Sequence, residues 1–166
     1  MVSKSIVVFA DTVEAYEELC SGARALDCRP VALFAGSADD AERVSMWGAR
    51  VVHVGEVPEG ALYEDLASAF EQIIRFEKPA LIMARASKRT QCIAGRLAVR
   101  LGAPVVSDAL RIDLDGEVAR FVTMIYGGAA ECVEHVSGLA IVLVGSGVFE
   151  AGGACDGGMV EHSDAA

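Results

Sequence analysis

Short β-branched runs alternate with longer segments of helical spacing over the first two thirds of the chain. The continuous apolar run SIVVFA at 5–10 is typical of a buried strand, whereas the apolar spacing over 12–26 predicts an amphipathic helix. The alternation then continues, with predicted strands over 30–35, 50–55 and 80–84 and predicted helices over 37–48, 60–77 and 88–101. Because strands that alternate with helices form parallel βαβ units, we expect a three-layer α/β/α fold with a mainly parallel sheet.

The pattern changes after Pro104, where no segment has room for a crossover helix. Four strand-like runs, over 105–113, 118–126, 131–136 and 139–144, are joined by tight turns at Asp115-Gly116 and Gly127-Gly128. We therefore expect the sheet to become mixed in the C-terminal third. From Gly145 the sequence is rich in glycine and acidic residues, which predicts a domain over 1–150 and a flexible, Gly-rich acidic tail over 151–166.

Composition and charge narrow the classes of function. The 166 residues are 53% hydrophobic, enough for one sizeable core. Fourteen basic against twenty-four acidic residues give a net charge of −10, which repels phosphate backbones and anionic lipids, so we expect no nucleic-acid partner. The mean hydropathy is +0.40, but no apolar run approaches the roughly 20 residues of a membrane span. The first ten residues are unlike a signal peptide, so we expect a cytoplasmic protein without membrane insertion.

The residues that most often ligate metals or catalyse reactions show no local motif. The five cysteines are odd in number and lack CxxC spacing, and the three histidines, His53, His135 and His162, are scattered. The sequence therefore predicts no metal site and no catalytic residue.

Polar and basic residues follow the predicted strand at 80–84, where a helix begins. Backbone amides at a helix N-terminus bind anions, and open α/β sheets bind ligands at the carboxyl ends of their strands. Residues after the first two predicted strands reach the same edge. We predict a phosphate or adenine-nucleotide site, with AMP as one candidate ligand, at Asp11, Gly36, Ser37, Ser87, Lys88, Arg89 and Thr90. The alternatives are a solvated basic turn or protein-contact patch at 87–90, and a capping role for Asp11.

Several segments resemble those of a known family. Residues 81–112 read LIMARASKRTQCIAGRLAVRLGAPVVSDALRI, where the loop Ala84-Arg85-Ala86-Ser87 leads into a helix that carries RLAVRLG, and Ser107-Asp108 lies in the next strand. Residues 121–129 read FVTMIYGGA, and residues 140–149 read AIVLVGSGVF. In this order the segments resemble the N-terminal domain of the alpha subunit of electron transfer flavoproteins, over essentially residues 4–150. The resemblance implies a nucleotide-binding-like fold of the adenine nucleotide alpha hydrolase type.

The resemblance also implies a function. In that family most FAD contacts lie on a second domain, whose flavin-contact segments have no counterpart in these residues, so we expect that this chain alone binds no FAD tightly. FAD is then implied only through a partner, and the chain is expected to be a scaffold, rather than an enzyme, that binds a flavoprotein beta-like subunit or a second copy of itself. We expect the interface at Phe121, Tyr126, Gly127 and Gly128. The alternative is a stand-alone adenine-nucleotide binder similar to universal stress-type proteins.

Overall fold

A parallel β-sheet forms the centre of the molecule in the computed structural model, which describes residues 4–163. Among these residues seven strands form this main sheet: β1 (Ser5–Phe9), β2 (Arg29–Phe34), β3 (Arg50–His53), β4 (Leu81–Arg85), β5 (Val105–Ala109), β9 (Ile141–Val144) and β10 (Met159–His162). They pair in the order β10-β3-β2-β1-β4-β9-β5, and every pair is parallel. The predicted fold class, α/β with a mainly parallel sheet, is confirmed.

Helices cover both faces of the main sheet. They are α1 (Ala15–Ala25), α2 (Ala38–Ser45), α3 (Ala67–Glu77) and α4 (Lys88–Leu101), and a short 3-10 turn, Tyr63–Leu66, precedes α3. Alternate side chains of each strand point to opposite faces, which divides the apolar core into two layers. In β1, Ile6 and Val8 face the layer that contains α1 and α2, whereas Val7 and Phe9 face the layer of α3 and α4. No helix in the described part of the chain has the length and apolarity to cross a bilayer.

The antiparallel strands expected in the C-terminal third are present, but they form a sheet of their own. Its strands are β6 (Arg111–Asp115), β7 (Val118–Ile125) and β8 (Ala130–Ser137), in that order. The predicted single strand at 105–113 is divided because Asp108 takes a left-handed conformation, with φ at 54°, and the pairing with β9 shifts register there. The chain therefore leaves the main sheet, and Ile112, Ala119 and Phe121 pack into the core layer of α1 and α2.

The prediction of a flexible tail without structure is wrong for the residues that form β10. This strand pairs in parallel with β3 and forms one edge of the main sheet, so the sheet extends beyond the expected boundary at 150. The last three residues of the predicted tail lie outside the described residues. Pattern analysis missed β10 because it has only four residues, of which two are charged or ionisable, and it needs no long apolar run at a sheet edge.

A segment that we call the strap, residues 145–158, leads from β9 across α1 to β10. Its backbone N–H groups at Gly147 and Gly153 donate to Glu18 and Glu17 of α1, at 2.9 and 3.0 Å. The Phe149 ring lies directly against Gly22 of α1, where a Cβ atom would overlap it. The strap is therefore held by α1 along its course, although its sequence has little apolar periodicity.

Candidate functional site

The carboxyl ends of β1 and β4 form the point where the strand order reverses. The chain passes from β1 to β2 on one side, and β4 later adds to the other side of β1. Open α/β sheets bind ligands at such a switch point. We call the group Asp11, Tyr63, Ser87, Arg89 and Thr90, which surrounds it, the central crevice.

Ser87 and Thr90 begin α4 with a reciprocal cap. Ser87 has extended backbone angles, its hydroxyl oxygen accepts the Thr90 N–H at 3.3 Å, and the Thr90 hydroxyl oxygen accepts the Ser87 N–H at 3.1 Å. Thr90 is fully buried, and its hydroxyl donates to the carbonyl of Arg85. Because both side chains are fixed by the helix start, Ser87 has a defined direction in which to donate its own proton.

Asp11 accepts the hydrogen bond that the Ser87 hydroxyl donates. The Ser87 hydroxyl donates to Asp11 Oδ2 at 2.9 Å, which links the ends of β4 and β1 across the switch point. A carboxylate therefore already lies near the N-terminus of α4, where its charge interacts favourably with the helix dipole. This arrangement satisfies the helix start internally, and an incoming phosphate would meet the negative charge of Asp11.

Two tyrosines close the floor of the central crevice. The Tyr63 hydroxyl donates to the Ala10 carbonyl at 2.8 Å, and the buried Tyr16 hydroxyl donates to the Leu33 carbonyl at 2.6 Å. Burial raises the pKa of both phenols, and the negative charge of Asp11 raises them further. Both hydroxyls therefore remain protonated donors at neutral pH. The Tyr63 hydrogen bond holds the segment before α3 to the end of β1, and the Tyr16 hydrogen bond holds α1 to β2.

The basic residues at 88–89 supply the positive charge that the sequence predicted. Both side chains are exposed, the first turn of α4 has no acidic residue, and Arg89 lies close enough to Tyr63 to affect its pKa. Arg89 therefore borders the central crevice. A neutral ligand would find hydrogen-bond partners here. An anion would meet the exposed cations at 88–89 and also the carboxylate of Asp11.

The structure brings only part of the predicted nucleotide site together. Asp11, Ser87 and Thr90 are joined by hydrogen bonds, whereas Gly36 and Ser37 are engaged elsewhere. The Gly36 carbonyl lies 2.7 Å from His53 Nε2, and Ser37 caps α2 by accepting the Asp40 N–H at 3.1 Å. Whether any of these residues binds a nucleotide remains a prediction.

An ion pair beside the central crevice was missed by sequence reasoning. Arg85, the last residue of β4, contacts Glu18 of α1 at 3.0 Å, and their side chains are 11% and 22% exposed. Burial alone would raise the pKa of Glu18, but the Gly147 N–H and the Arg85 guanidinium together hold it below its usual value. Nη1 of Arg85 is buried without a hydrogen-bond partner among the described residues. An arginine directly after a buried strand was the only sequence signal.

Of the four residues predicted for a partner interface, the structure exposes three and buries one. Phe121 is fully buried in the core, so its side chain is not available to a partner. An apolar residue inside an alternating strand faces the core when the strand packs on one side only, which the sequence alone did not reveal. By contrast Tyr126 is 83% exposed, and Gly127 and Gly128 are exposed beside it.

We call residues 124–129, the last two residues of β7 and the turn that leads to β8, the hairpin tip. Met124 and Ile125 are exposed next to Tyr126, which gives three consecutive solvent-facing apolar side chains. Tyr126 and the two glycines all have positive φ, between 53° and 93°. The tip is therefore a tight, left-handed turn with exposed apolar side chains beside it.

Two other features of the described chain bear on its chemistry, a cavity and a buried cysteine. A cavity of about 320 Å³ lies near the opposite, amino end of the main sheet, where Lys4, Lys78 and Leu139 line it. No group of three or more histidine, cysteine or acidic side chains within 4–163 is arranged to hold a metal ion. Burial raises the pKa of the Cys20 thiol to about 12, so this cysteine is unreactive at neutral pH.

Comparison with known proteins gives a consistent result. A family model described as the electron transfer flavoprotein domain matches residues 10–166. The protein FixB of Salmonella typhimurium is 32% identical over 149 residues, which are 89% of this chain and 48% of that protein. A putative electron transfer flavoprotein subunit, YdiR of Escherichia coli K12, is 33% identical over 150 residues, 88% of this chain and 47% of that protein. The chain spans about half the length of the curated relatives it matches.

Proposed function

Because this chain belongs to the electron transfer flavoprotein domain family, we propose that it is the partner-binding scaffold of an electron-transfer flavoprotein system. The match across 10–166 is the observation that carries the proposal. In this role the chain binds a flavoprotein beta-like subunit and positions it, while flavin is held by the assembled complex rather than by this chain alone. The chain then needs no catalytic residue of its own.

The hairpin tip supports this role as a docking surface. Exposed apolar side chains at residues 124–126 support a protein contact at this tip. An exposed tyrosine combines a large apolar ring with a hydroxyl, and aromatic residues of this kind dominate binding energy at interfaces. We propose that Tyr126 anchors the beta-like subunit.

The test is co-purification of the chain with the beta-like subunit of its source organism, followed by native mass spectrometry and flavin quantification. We expect a one-to-one complex that contains flavin, and isolated chain without stoichiometric flavin. Tyr126→Ala should weaken the complex by about tenfold or more. Phe76→Ala is the matched control, because Phe76 is also 83% exposed but lies on α3. Stoichiometric flavin on the isolated chain, or equal effects of the two variants, would contradict the proposal.

A second candidate function is binding of an adenine nucleotide at the central crevice. It is favoured by the exposed cations of Lys88 and Arg89 at a helix start that has no acidic residue of its own. Asp11 opposes it, since its carboxylate lies where a phosphate would approach. Release of bound small molecules from the purified chain, with identification by mass spectrometry, distinguishes the two functions: AMP or ATP without flavin favours the nucleotide binder.

A further inference from the structure

Two histidines face each other at the edge of the main sheet. His53 ends β3 and His162 ends β10, and the two residues are direct partners in the parallel ladder. Paired residues on neighbouring strands point to the same face. Their Nδ1 atoms lie 3.2 Å apart. His53 is buried, with 6% of its surface exposed, whereas His162 is exposed.

The contact of His53 with Gly36 assigns its tautomer. His53 Nε2 lies 2.7 Å from the Gly36 carbonyl, and because a carbonyl oxygen only accepts, Nε2 must carry the proton. Nδ1 of the neutral ring then has a free lone pair, which points at His162. A histidine that ligates a metal is held in this way, with its second ring nitrogen donating to a backbone carbonyl.

The distance between the two Nδ1 atoms fits a shared metal ion. Zinc binds histidine nitrogen at about 2.0–2.1 Å, so two nitrogens of a tetrahedral zinc lie roughly 3.3 Å apart. The observed Nδ1–Nδ1 distance of 3.2 Å is close to this value, so a rotation of the two rings that aims both lone pairs at one point would form the site. Without metal, the same distance allows His162 Nδ1–H to donate to His53 Nδ1. When a metal binds, that proton leaves His162 Nδ1 and the ring carries its proton on Nε2 instead.

Contacts between the two strands surround the pair when no ion is bound. On the opposite face of the same two strands, Arg50 of β3 contacts Glu161 of β10 at 2.9 Å. The Ser163 N–H donates to the His53 carbonyl at 2.9 Å, and the Phe34 ring lies 6.0 Å from the His53 ring. A ligand pair held in place in this way loses little conformational freedom on binding.

We propose that His53 and His162 form a binding site for a divalent transition-metal ion such as Zn²⁺, with Nδ1 of each ring as ligand and water in the remaining positions. Imidazole nitrogen suits zinc, copper and nickel, whereas Mg²⁺ and Ca²⁺ require oxygen ligands. A site with two protein ligands is open, so the ion is exchangeable. This inference is independent of the proposed function.

The test is isothermal titration of the untagged chain with ZnCl₂ under reducing conditions. We expect one zinc ion per wild-type chain. His162→Ala should weaken binding by about tenfold or more, because it removes one of two ligands. His135→Ala is the matched control, since His135 is exposed on β8 and every variant keeps the same five cysteines. Equal affinity in the wild type and His162→Ala, or no zinc binding by the wild type, would overturn the proposal.

A second measurement keeps the result independent of folding. Thermal melts establish that His162→Ala is folded, and nitrogen-15 NMR of the wild-type imidazole rings reports which nitrogen binds. We expect the Nδ1 signals of both His53 and His162 to shift on addition of zinc while His135 stays unchanged. A shift confined to His135, or to Nε2 of His162, contradicts the assignment.

Discussion

The central crevice differs from the outer edge of the main sheet, where β3 pairs with β10, in how its residues are brought together. The crevice joins β1 and β4, which are neighbours in the middle of the sheet, and Asp11 and Ser87 come shortly after these two strands. The outer edge depends on residues that return from far along the chain. His162 lies 109 positions after His53, and Glu161 lies 111 positions after Arg50.

This difference indicates where each region gets its stability. The crevice is supported by two core layers, since β1 and β4 are covered on both faces. The outer strand β10 is covered less completely and depends on the strap that delivers it. Local unfolding begins in regions with few buried apolar contacts. We therefore expect the outer edge to open without loss of the crevice.

The largest expected effect comes from Gly158→Ala, at the end of the strap. A Cβ atom at Gly158 would overlap the carbonyl oxygen of Ser45 in α2, and a backbone atom at the end of a helix has little freedom to move away. We expect a loss of about 3 kcal/mol in the free energy of unfolding, or detachment of β10. Urea titration measures the first outcome, and hydrogen exchange of the β10 amides measures the second.

Gly95→Ala is the control for that experiment. Gly95 is exposed in α4, and a Cβ atom there meets nothing within 4 Å. Because glycine is unfavourable inside a helix, this variant should gain roughly 0.5–1 kcal/mol. Unchanged stability together with unchanged exchange in Gly158→Ala would show that the outer edge does not depend on this approach of the strap to α2.

A smaller loss of stability is expected from Glu18→Gln, because Glu18 contacts both the strap and Arg85 beside the central crevice. Glutamine still accepts the Gly147 N–H, but it leaves the guanidinium of Arg85 without its charged partner. We expect a loss of about 2 kcal/mol at neutral pH, since the pair is mostly but not fully buried. Glu17→Gln is the matched control, because Glu17 accepts the Gly153 N–H and forms no ion pair in the described part of the chain.

The effect of Glu18→Gln should depend on pH in a definite direction. The pKa of Glu18 is lower in the folded chain than its ordinary value of 4.5, so the carboxylate stabilises the fold above that value. Its contribution is lost as the pH falls through the lower folded pKa. The stability difference between wild type and variant should therefore close in acid. A difference that stays constant down to pH 2 contradicts the role of the Arg85–Glu18 pair.

How much the sequence could predict follows the same division between the two regions. The position of Ser87 and Thr90 at the start of a helix was predictable, because a cap is a local pattern of four residues after a strand. Phe121 was misplaced because alternation along β7 does not say which face is covered. β10 was missed because a four-residue edge strand pairs through its backbone, which leaves little trace in the side-chain pattern. The His53–His162 contact could not be predicted without that strand.

The smallest expected effect tests whether the central crevice binds anions. Arg89→Ala removes a cation from its rim, and Asp11→Asn removes the carboxylate that a phosphate would meet while an acceptor for the Ser87 hydroxyl remains. If the crevice is an anion site, Asp11→Asn should raise the affinity for AMP several-fold and Arg89→Ala should lower it by a similar factor, because a single partly exposed charge contributes about 1 kcal/mol. Titration with AMP and with inorganic phosphate measures both, and Arg43→Ala, an exposed arginine on α2, is the control. Unchanged affinity in both crevice variants would mean that Ser87 and Asp11 serve the helix start alone.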